Sequence, residues 1–309
     1  AIWDEASIIA LKTQLQAPED PHSAVQRFHV SMQTALVGTI EQDNTMALIQ
    51  EGDRWRVQWL PSLLFKELAG DNLVHMFPQS TPRGDILDRA GKKLATQTTF
   101  SSLALVPEKM HDAPTALGVV SKALDYPLDK LQALYNNAKT HPSWLQPIRV
   151  VPPDQLDAVR LAVKDQPGVV FNDVSLRGYP LKDLAAQSVG YLGEISADEL
   201  TTKWQEGYRS GDWLGRTGIE RWGEPLLSGK RGGKLAVVST GGTVQTVIAQ
   251  RDPVPAQSIV LTLDSELQRA AQKALGTLVG SVVVMRVNDG ALLALASSPS
   301  FDLNPFIMG

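Results

Sequence analysis

The segment RGDILDRAGKKLA, from Arg83 to Ala95, constrains the fold of this chain more than any other stretch. It combines two arginines and two aspartates with two short apolar pairs. Asp88 suits the start of a turn, and Gly91 suits the left-handed position of a type I turn with a bulge. Because apolar residues flank that turn, the segment predicts a β-hairpin with a charged end.

Three roles are open for these charges: an RGD adhesion tripeptide, a catalytic loop, or ion pairs that hold two segments together. The RGD match is weak, since three letters recur by chance in many chains. A catalytic loop would need a histidine, a metal-ligand cluster or a paired carboxylate nearby. The histidines are instead scattered singly, which favours surface or hydrogen-bonded positions and predicts no metal site and no cofactor. They are His22, His29, His75, His111 and His141.

Composition sets broad limits. The 309 residues suffice for about two domains, with room for a small third, and 43% hydrophobic residues can bury a core. A net charge of −4 argues against nucleic-acid binding. The absence of cysteine excludes disulfides, thiolate metal sites and cysteine nucleophiles. No apolar run approaches the ~18 residues of a membrane span, and the two chain ends lead us to expect a piece of a longer protein.

The first part of the chain predicts a helix followed by an antiparallel sheet, an α+β arrangement. The helix is expected at EASIIALKTQLQ, and APEDPH interrupts the pattern with two prolines. Three strand-like runs follow, FHVSMQTALVGTI, TMALIQE and RWRVQWL. Trp55, Val57 and Trp59 alternate with polar residues in the third run, so we expect them to face a core. Stacking of the tryptophans on sugars is the less favoured alternative.

The middle of the chain predicts short helices and a further hairpin. Helical patterns occur at TALGVVSKALD, PLDKLQALYNNA and DQLDAVRLAVKD, the last with Asp154 as N-cap. Ser196 and Glu199 form a capping box at the start of another helix. LAVVSTGGTVQTVIAQ predicts two strands joined at Gly241 and Gly242, and no helix follows as a phosphate loop would require.

The last part of the chain predicts a strand, SIVLTLD, a helix capped by Asp264, and a hairpin turning at Asn288–Gly290. SPSFDLNPF follows as a loop. The two hairpin strands, GSVVVMRV and ALLALASS, are almost wholly apolar, which is typical of strands buried on both faces. We therefore expect them to belong to a larger sheet and to leave apolar surface and strand edges exposed.

Four segments resemble signatures of class B penicillin-binding proteins and occur in the family's order. The opening hairpin is similar to the first signature of the non-catalytic module. RGYP (Arg177–Pro180) resembles the second, although the family usually has glycine where Lys182 stands. GYLGEISADEL (Gly190–Leu200) and GRTGIERWGEPLLSGKRGG (Gly215–Gly233) resemble the third region. Each motif alone is weak, but four in register, covering the chain from about Trp55 onward, are specific.

The resemblance implies three domains. Residues 1–77 are expected to form part of a nuclear-transport-factor-like N-terminal domain of the methicillin-resistance type. Residues 78–255 are expected to form the dimerisation or pedestal domain, and residues 256–309 an incomplete start of the transpeptidase domain. The expected fold is α+β, an elongated, multi-lobed stalk of antiparallel hairpins and short helices with a small cone-like domain at its N-terminal end.

The resemblance also implies a structural role for the charged hairpin. In the family this hairpin packs against the third region, so Arg83 or Arg89 is expected to pair with Glu194 or Glu220. The structural residues implied by the signatures are Arg83, Gly84, Asp88, Arg89, Gly91, Arg177, Tyr179, Pro180, Gly193, Glu194, Gly218 and Glu220.

Transpeptidases of this family attack with a serine whose proton is accepted by a lysine three residues later on the same helix face. In this sequence no serine has a lysine at that spacing, and neither S-D-N nor K-T-G occurs. The resemblance implies that the parent protein is a serine-type D,D-transpeptidase that binds penicillin and cross-links peptidoglycan. The chain as given is expected to be inactive.

The expected partners are peptidoglycan stem peptides and β-lactams, through a missing domain, and other cell-wall synthesis proteins, but not nucleic acid. The expected location is the extracytoplasmic face of the bacterial membrane, through a single N-terminal anchor outside this sequence, with the chain itself soluble. Two alternatives remain open. One is a stand-alone, non-catalytic interaction protein of the division or elongation machinery, and the other is a glycan- or small-molecule-binding module that uses the N-terminal domain.

Overall fold

The computed structural model describes residues 2–17 and 23–308, so most of the predicted APEDPH break and His22 lie outside the described residues. The strands are β1 Ile8–Leu15, β2 Val25–Thr34, β3 Gly38–Glu51, β4 Arg54–Val57, β5 Leu73–Gln79, β6 Ile86–Leu87, β7 Lys93–Leu105, β8 Gln146–Val151, β9 Val169–Gly178, β10 Leu192–Glu194, β11 Trp213–Gly215, β12 Gly232–Val238, β13 Val244–Arg251, β14 Ile259–Val260, β15 Gly280–Met285 and β16 Leu292–Ser298. The helices are α1 Ile2–Glu5, α2 Ala113–Leu124, α3 Leu128–Ala138, α4 Leu156–Val163, α5 Ala186–Val189, α6 Ala197–Lys203, α7 Gly218–Trp222, α8 Glu224–Leu227, α9 Ser265–Leu275 and α10 Pro305–Met308.

Short helices and mostly antiparallel sheets make this an α+β fold, as predicted. The chain forms two compact units. Unit 1 contains the chain up to Pro82, Glu194–Trp213 and Ser228–Gln257. Unit 2 contains Arg83–Gly193, Leu214–Leu227 and the chain from Ser258 onward.

Unit 1 is built on an antiparallel sheet with the strand order β1-β2-β3-β4. Along β2, Phe28, Val30 and Met32 are buried and alternate with more exposed polar residues, as in a strand with one face on a core. A second sheet, β13-β12-β5, adds Leu235 and Val237 to the same core. Two sheets thus share one apolar cluster in this unit.

The helix predicted at EASIIALKTQLQ is wrong, because most of this segment forms β1. The short helix α1 ends at Glu5, and the chain pairs with β2 from Ile8 onward, with Leu11 opposite Met32. The apolar spacing fits either element, and the neighbouring strand that supplies backbone hydrogen bonds decides for β. The first predicted strand also divides, since β2 ends at Thr34 and a turn precedes β3.

The burial predicted for Trp55, Val57 and Trp59 is wrong as well, although Val57 and Trp59 line a cavity together with the core residues Phe28 and Val30. The three residues are exposed, at 58%, 47% and 64%. β4 is the outermost strand of its sheet and pairs only with β3. The buried core of unit 1 takes its strand residues from β1, β2, β3, β5 and β12, so β4 lies outside it. Alternation predicted that these side chains share a face, but not whether anything covers that face.

Unit 2 is organised around the long strand β7. This strand pairs with β6 near its start and with β8 and β9 further along, and β14 adds to β6 in parallel. The predicted helices appear as α2, α3 and α4. Leu103 and Leu105 of β7 share a buried cluster with Leu117 and Val120 of α2 and Val151 of β8. This cluster is the core of the helical part of unit 2.

Helix starts follow the sequence signals at two of the three predicted places. Ser196 and Glu199 form the predicted capping box of α6. Asp264 caps α9 by accepting hydrogen bonds from two backbone N–H groups of its first turn. The predicted N-cap at Asp154 is wrong, because α4 begins one residue later, after Gln155, whose side chain makes no capping hydrogen bond.

The three predicted hairpins are present. Their turns contain Gly91, Gly242 and Gly290, with φ angles of 82°, 81° and 73°. The strand predicted at SIVLTLD is shorter than expected, since only Ile259–Val260 pairs, with β6. The glycines thus predicted the positions of these three turns correctly, whereas the apolar run SIVLTLD predicted a longer strand than the one that forms.

The last hairpin is covered on one face only. α9 packs on β15 and β16 through a small cluster that includes Ala271, Ala294 and Ala296. Val283 and Met285 of β15 point away from this cluster and are 55% and 58% exposed. The expected exposed apolar surface is thus present. None of the described helices combines the length and the hydropathy that a bilayer crossing requires.

Candidate functional site

The candidate site is a buried network of charges in unit 2, centred on Glu220 of α7. Glu220 is fully buried, and each of its carboxylate oxygens accepts a hydrogen bond from an arginine. Arg83 Nε donates to Oε2 at 2.8 Å, and Arg177 Nε donates to Oε1 at 2.7 Å. The predicted pairing of the opening motif with the third region is therefore found as Arg83–Glu220. Arg177 brings in the second signature as well.

The remaining donors of Arg83 are also used. Its Nη1 donates to Glu224 Oε1 at 3.0 Å, and its Nη2 donates to the Glu220 carbonyl at 2.9 Å. Glu224 Oε2 accepts a further hydrogen bond from the Gly215 N–H at 2.8 Å. The network thus contains two arginines and two glutamates. Balanced charge and the hydrogen bonds between the partners are what allow these charged groups to remain buried.

Arg177 ties the first signature to the network through the backbone. It is 3% exposed, and its Nη1 donates to the Gly84 carbonyl at 2.7 Å. The Gly84 N–H donates to the Leu227 carbonyl at 2.9 Å, so both backbone groups of this buried glycine are bonded. Burial lowers the pKa of Arg83, but the charges of Glu220 and Glu224 outweigh it and leave this pKa raised. Arg83 therefore acts as a fixed cation.

Tyr179 joins the second signature to the start of the third region. Its side chain is buried, and its hydroxyl oxygen accepts a hydrogen bond from the Leu192 N–H at 3.2 Å. Burial, followed by the nearby Glu220 carboxylate, raises the pKa of Tyr179. A neutral phenol in this position serves as a hydrogen-bonding strut, not as an acid or base.

Asp88 organises the other end of the hairpin. Its Oδ1 accepts hydrogen bonds from the Ala90 and Lys92 N–H groups, both at 2.8 Å, which closes the turn. Its Oδ2 accepts one from the Ser265 hydroxyl at 2.6 Å, at the first residue of α9. Burial by itself would raise the pKa of Asp88. The hydrogen bonds, led by the one from Ser265, lower this pKa by more than burial raises it, so the net shift is downward. The carboxylate therefore links the hairpin to α9.

Arg89 has a different role from Arg83. Its backbone N–H donates to the Leu263 carbonyl at 2.9 Å, and its guanidinium lies 3.9 Å from Asp264 Oδ2. The carboxylate facing Arg89 is thus the N-cap of α9 and not Glu194 or Glu220. Of the two alternatives predicted for the opening arginines, only the one naming Arg83 is correct.

Two glycines allow the segments of the third region to approach closely. Gly218 has a φ of 56°, and a Cβ there would lie 2.5 Å from the Ser188 carbonyl oxygen. A Cβ on Gly193 would lie 2.8 Å from Arg216 Nε. Any other residue at Gly218 would push α7, and with it Glu220, out of place.

Ten of the twelve predicted residues fall into three groups. Five of them meet in the network or contact it directly. A second group shapes the hairpin turn, and a third is made of glycines that permit close packing. Pro180 is exposed beside a cleft, and Glu194 is an exposed residue of unit 1. The network group is Arg83, Gly84, Arg177, Tyr179 and Glu220.

Sequence reasoning missed three participants: Glu224, Ser265 and Asn304. Glu224 follows Glu220 by four residues, and that spacing in an acidic, helix-forming stretch was an available signal. Ser265 and Asn304 contact residues more than one hundred positions away, and no local pattern marks such contacts. Among residues 2–17 and 23–308, no group of three or more histidines and carboxylates is arranged to hold a metal ion.

Two protein-family models match the chain. The family model described as the penicillin-binding protein dimerisation domain matches residues 78–261. A second model, described as the NTF2-like N-terminal transpeptidase domain, matches residues 1–72. The first match covers more than half of the chain and contains all the network residues.

Three curated relatives have similar sequences. Penicillin-binding protein 3 of Bacillus subtilis is 30% identical over 318 residues, which span 100% of this chain and 47% of that protein. Peptidoglycan D,D-transpeptidase MrdA of Escherichia coli K12 is 28% identical and covers 79% of this chain and 40% of its own length. Peptidoglycan D,D-transpeptidase FtsI of the same strain is 29% identical, with coverages of 81% and 42%. The chain thus spans about half the length of the curated relatives it matches.

Among solved structures, the complex between penicillin-binding protein PBP2 and MreC from Helicobacter pylori has a similar fold. The TM-score is 0.55 at 24% sequence identity, over 77% of this chain and 45% of that chain. This likeness supports the fold. Together with the two domain matches and the network that joins the three signature regions, it shows that the chain belongs to the class B penicillin-binding proteins, as their dimerisation region with an NTF2-like N-terminal domain.

Proposed function

We propose that this chain is the extracytoplasmic, non-catalytic part of a peptidoglycan D,D-transpeptidase and that it positions the catalytic domain for cross-linking of the cell wall. The observation that carries the proposal is the buried Arg83–Glu220–Arg177 network. It joins three sequence regions into one rigid element. The side chains of Arg83, Arg177 and Glu220 are at most 10% exposed and are paired with one another, which suits a structural support.

The proposal includes the three domains expected from the sequence, with the same bounds. Residues 1–77 form the NTF2-like domain, residues 78–255 the pedestal, and residues 256–309 the first part of a transpeptidase domain. The hairpin of β15 and β16 with α9 on one face supports the last assignment, because its uncovered apolar face suits a strand pair at the edge of a larger sheet.

The proposed partners and location follow from the same function. The whole protein would act on peptidoglycan stem peptides, be acylated by β-lactams, and bind other proteins of cell-wall synthesis. It would be held at the outer face of the bacterial membrane by a single N-terminal anchor. The likeness to a chain solved in complex with MreC supports the class of protein partner proposed here.

The test uses a fluorescent penicillin and two proteins: this 309-residue chain and the longer product of the same gene. We expect a covalent adduct that survives denaturation on the longer product only. The chain itself has no serine followed by a lysine three residues later to form the ester. An adduct on the 309-residue chain, or none on the longer protein, would contradict the proposal.

One observation favours a second role for unit 1, as a glycan-recognition surface. Trp55 of the edge strand β4 and Trp59, two residues beyond its end, are more than half exposed. Exposed aromatic side chains on one face are a mark of recognition surfaces, because they supply a large rigid contact area. In a cell-wall protein the nearest such ligand is the peptidoglycan strand.

Titration with soluble muropeptides tests this role. We expect tryptophan fluorescence of the chain to change with saturation, and the change to be lost in Trp55→Ala/Trp59→Ala. Trp222→Ala is the matched control, since Trp222 is 70% exposed but belongs to unit 2. Equal responses of the two variants would exclude glycan binding at β4.

A further inference from the structure

The segment just before α10 is attached to the second signature by a single amide side chain. Asn304 Oδ1 accepts a hydrogen bond from the Tyr179 N–H at 3.0 Å, and Asn304 Nδ2 donates to the Tyr179 carbonyl at 3.0 Å. Asp302 Oδ1 holds the same amide through a hydrogen bond from Nδ2 at 2.8 Å. The amide thus pairs with both backbone groups of one residue, as a neighbouring strand would. Two bonds to one residue fix both the distance and the rotation of the segment.

A ring contact attaches α10, which directly follows Asn304, to the third region. Phe306 stacks on Tyr191, with ring centroids 3.9 Å apart and planes 16° from parallel. Tyr191 directly precedes Leu192, whose N–H is bonded to the Tyr179 hydroxyl. Asn304 and Phe306 therefore bind the two sides of one junction, where the second signature meets the third region.

Hydrogen bonds carry much of this attachment. A cleft of about 520 Å³ opens beside it, lined by residues that include Phe100, Pro153, Tyr179 and Asn304. The face of the segment that borders the cleft is therefore not packed. Leu303 and Ile307 are buried and supply apolar contact, but apolar contact alone is not directional.

A second set of polar contacts secures the turn that follows the second signature. Gln272 of α9 donates through Nε2 to the Asp183 carbonyl at 3.1 Å and accepts from the Ala185 N–H at 3.3 Å. The Ser300 hydroxyl donates to the Asp183 carbonyl at 2.7 Å. In this turn Lys182 and Ala185 both have positive φ angles, of 56° and 57°. Non-glycine residues keep such angles only where their surroundings enforce them.

We infer that Asn304, with Phe306, is a positioning joint: it fixes α10 relative to the signature network and so orients the catalytic domain. This inference rests on the proposed function. It assigns to two residues outside the signatures the task of transmitting the rigidity of the network. Neither residue touches substrate, so their effect on the reaction is indirect.

The geometric part of the inference is tested on this chain. Because the sequence has no cysteine, Asp129→Cys and Met308→Cys provide the only two thiols for nitroxide labels. We expect a single narrow distance distribution, and a distribution about twofold broader in Asn304→Ala. Asn136→Ala, the same change at an exposed position of α3, serves as the control. An unbroadened distribution in Asn304→Ala overturns the joint.

Phe306 supplies an independent variant if Asn304→Ala does not fold. Phe306→Leu keeps apolar area but loses the stack, whereas Phe306→Trp keeps the stack. We expect a broader distance distribution in Phe306→Leu and a distribution as narrow as that of the parent in Phe306→Trp. Equal widths in the two variants would mean that the ring contact does not position the segment.

The functional part is tested on the longer gene product, through its rate of acylation by fluorescent penicillin. We expect about tenfold slower acylation in Asn304→Ala and Phe306→Leu, the effect of about one lost hydrogen bond or ring contact on domain placement, and a normal rate in Phe306→Trp. Normal acylation in Asn304→Ala overturns the inference and leaves the proposed function intact. Failure of the unmodified longer protein to react overturns the proposed function, while the distance measurement still decides the joint.

Discussion

Arg177 and Glu220, separated by 43 positions in the sequence, form a 2.7 Å ion pair in which both side chains are almost fully buried, at 1% and 0% exposure. Arg83 binds the other oxygen of the same carboxylate at 2.8 Å. One buried anion thus holds two cations from different signature segments. Removing Glu220 should therefore destabilise the fold more than removing either arginine, because it leaves both cations without this carboxylate in a region from which water is excluded.

Glu220→Gln is therefore expected to lower the free energy of unfolding by about 3–5 kcal/mol, the usual effect of removing one partner from a buried ion pair. Glutamine keeps the shape and one acceptor oxygen, so the loss of stability measures the contribution of the negative charge. Urea unfolding followed by circular dichroism measures it. The matched control is Glu266→Gln, an exposed ion-pair residue of α9, for which we expect a much smaller loss because water screens the pair. Equal losses in the two variants would mean that the network adds no more than a surface pair.

The sequence identified the segments of this network better than it identified their contacts. The arginine-rich hairpin, its turn and its glutamate partner all follow from local patterns and from the family resemblance. The contribution of Arg177 through Gly84 does not, because it depends on how β7 places β9 beside the first signature. Pairings between distant segments are set by packing of whole elements, which a local window does not contain.

The errors have two physical causes. At Leu11, helical and strand periodicity overlap, and the tertiary partner β2 decides. At Trp55 the alternation predicted a shared face for the apolar side chains. That face is buried only if another layer packs on it, and no such layer covers Trp55 on the edge strand β4. The buried face of α9 is not wholly apolar. It includes Gln268, whose amide pairs with both backbone groups of Leu295 at 2.7 and 3.0 Å. A polar residue can belong to a core when its hydrogen bonds are satisfied there.

Lys182→Gly is expected to stabilise the chain by about 1 kcal/mol. Lys182 has a φ of 56°, in the left-handed region that costs a side-chain-bearing residue about 1–2 kcal/mol. Glycine removes that strain, and the greater freedom of the unfolded chain offsets part of the gain. Thermal and urea unfolding measure the change.

Lys164→Gly is the control for this prediction, because Lys164 is exposed and has an ordinary φ of −53°. With no strain to relieve, glycine there should destabilise by about 0.5–1 kcal/mol. A loss of stability in Lys182→Gly, comparable to that of the control, would show that the left-handed lysine is not strained.

Asp88→Asn should destabilise the chain at neutral pH by about 1–3 kcal/mol, because the amide cannot accept every hydrogen bond that the carboxylate accepts. The pKa of Asp88 is lowered in the folded chain, so its contribution is present above the unfolded value of about 3.9 and is lost as the pH falls through the folded pKa. The difference between parent and variant should therefore shrink on acidification below about pH 4. A difference that stays constant down to pH 2 would show that the charge of Asp88 is not the stabilising feature.

His29 is expected to give unit 1 a pH dependence of the opposite sign. Its Nδ1 lies 2.9 Å from Asp43 and its Nε2 lies 2.9 Å from Glu41, so only the doubly protonated ring can donate to both carboxylates. The hydrogen bond to Asp43, followed by that to Glu41, raises the pKa of His29. A raised folded pKa means that the stabilisation is fully present below the unfolded value of about 6.5 and is lost as the pH rises through the folded value. The melting-temperature difference between the parent and His29→Gln should therefore be largest near pH 5.5 and decline toward pH 9. In an Asp43→Asn/Glu41→Gln background the same substitution should produce a nearly flat profile, since the ring then has no anions to bridge. A profile as steep in that background as in the parent would assign the titration to another group.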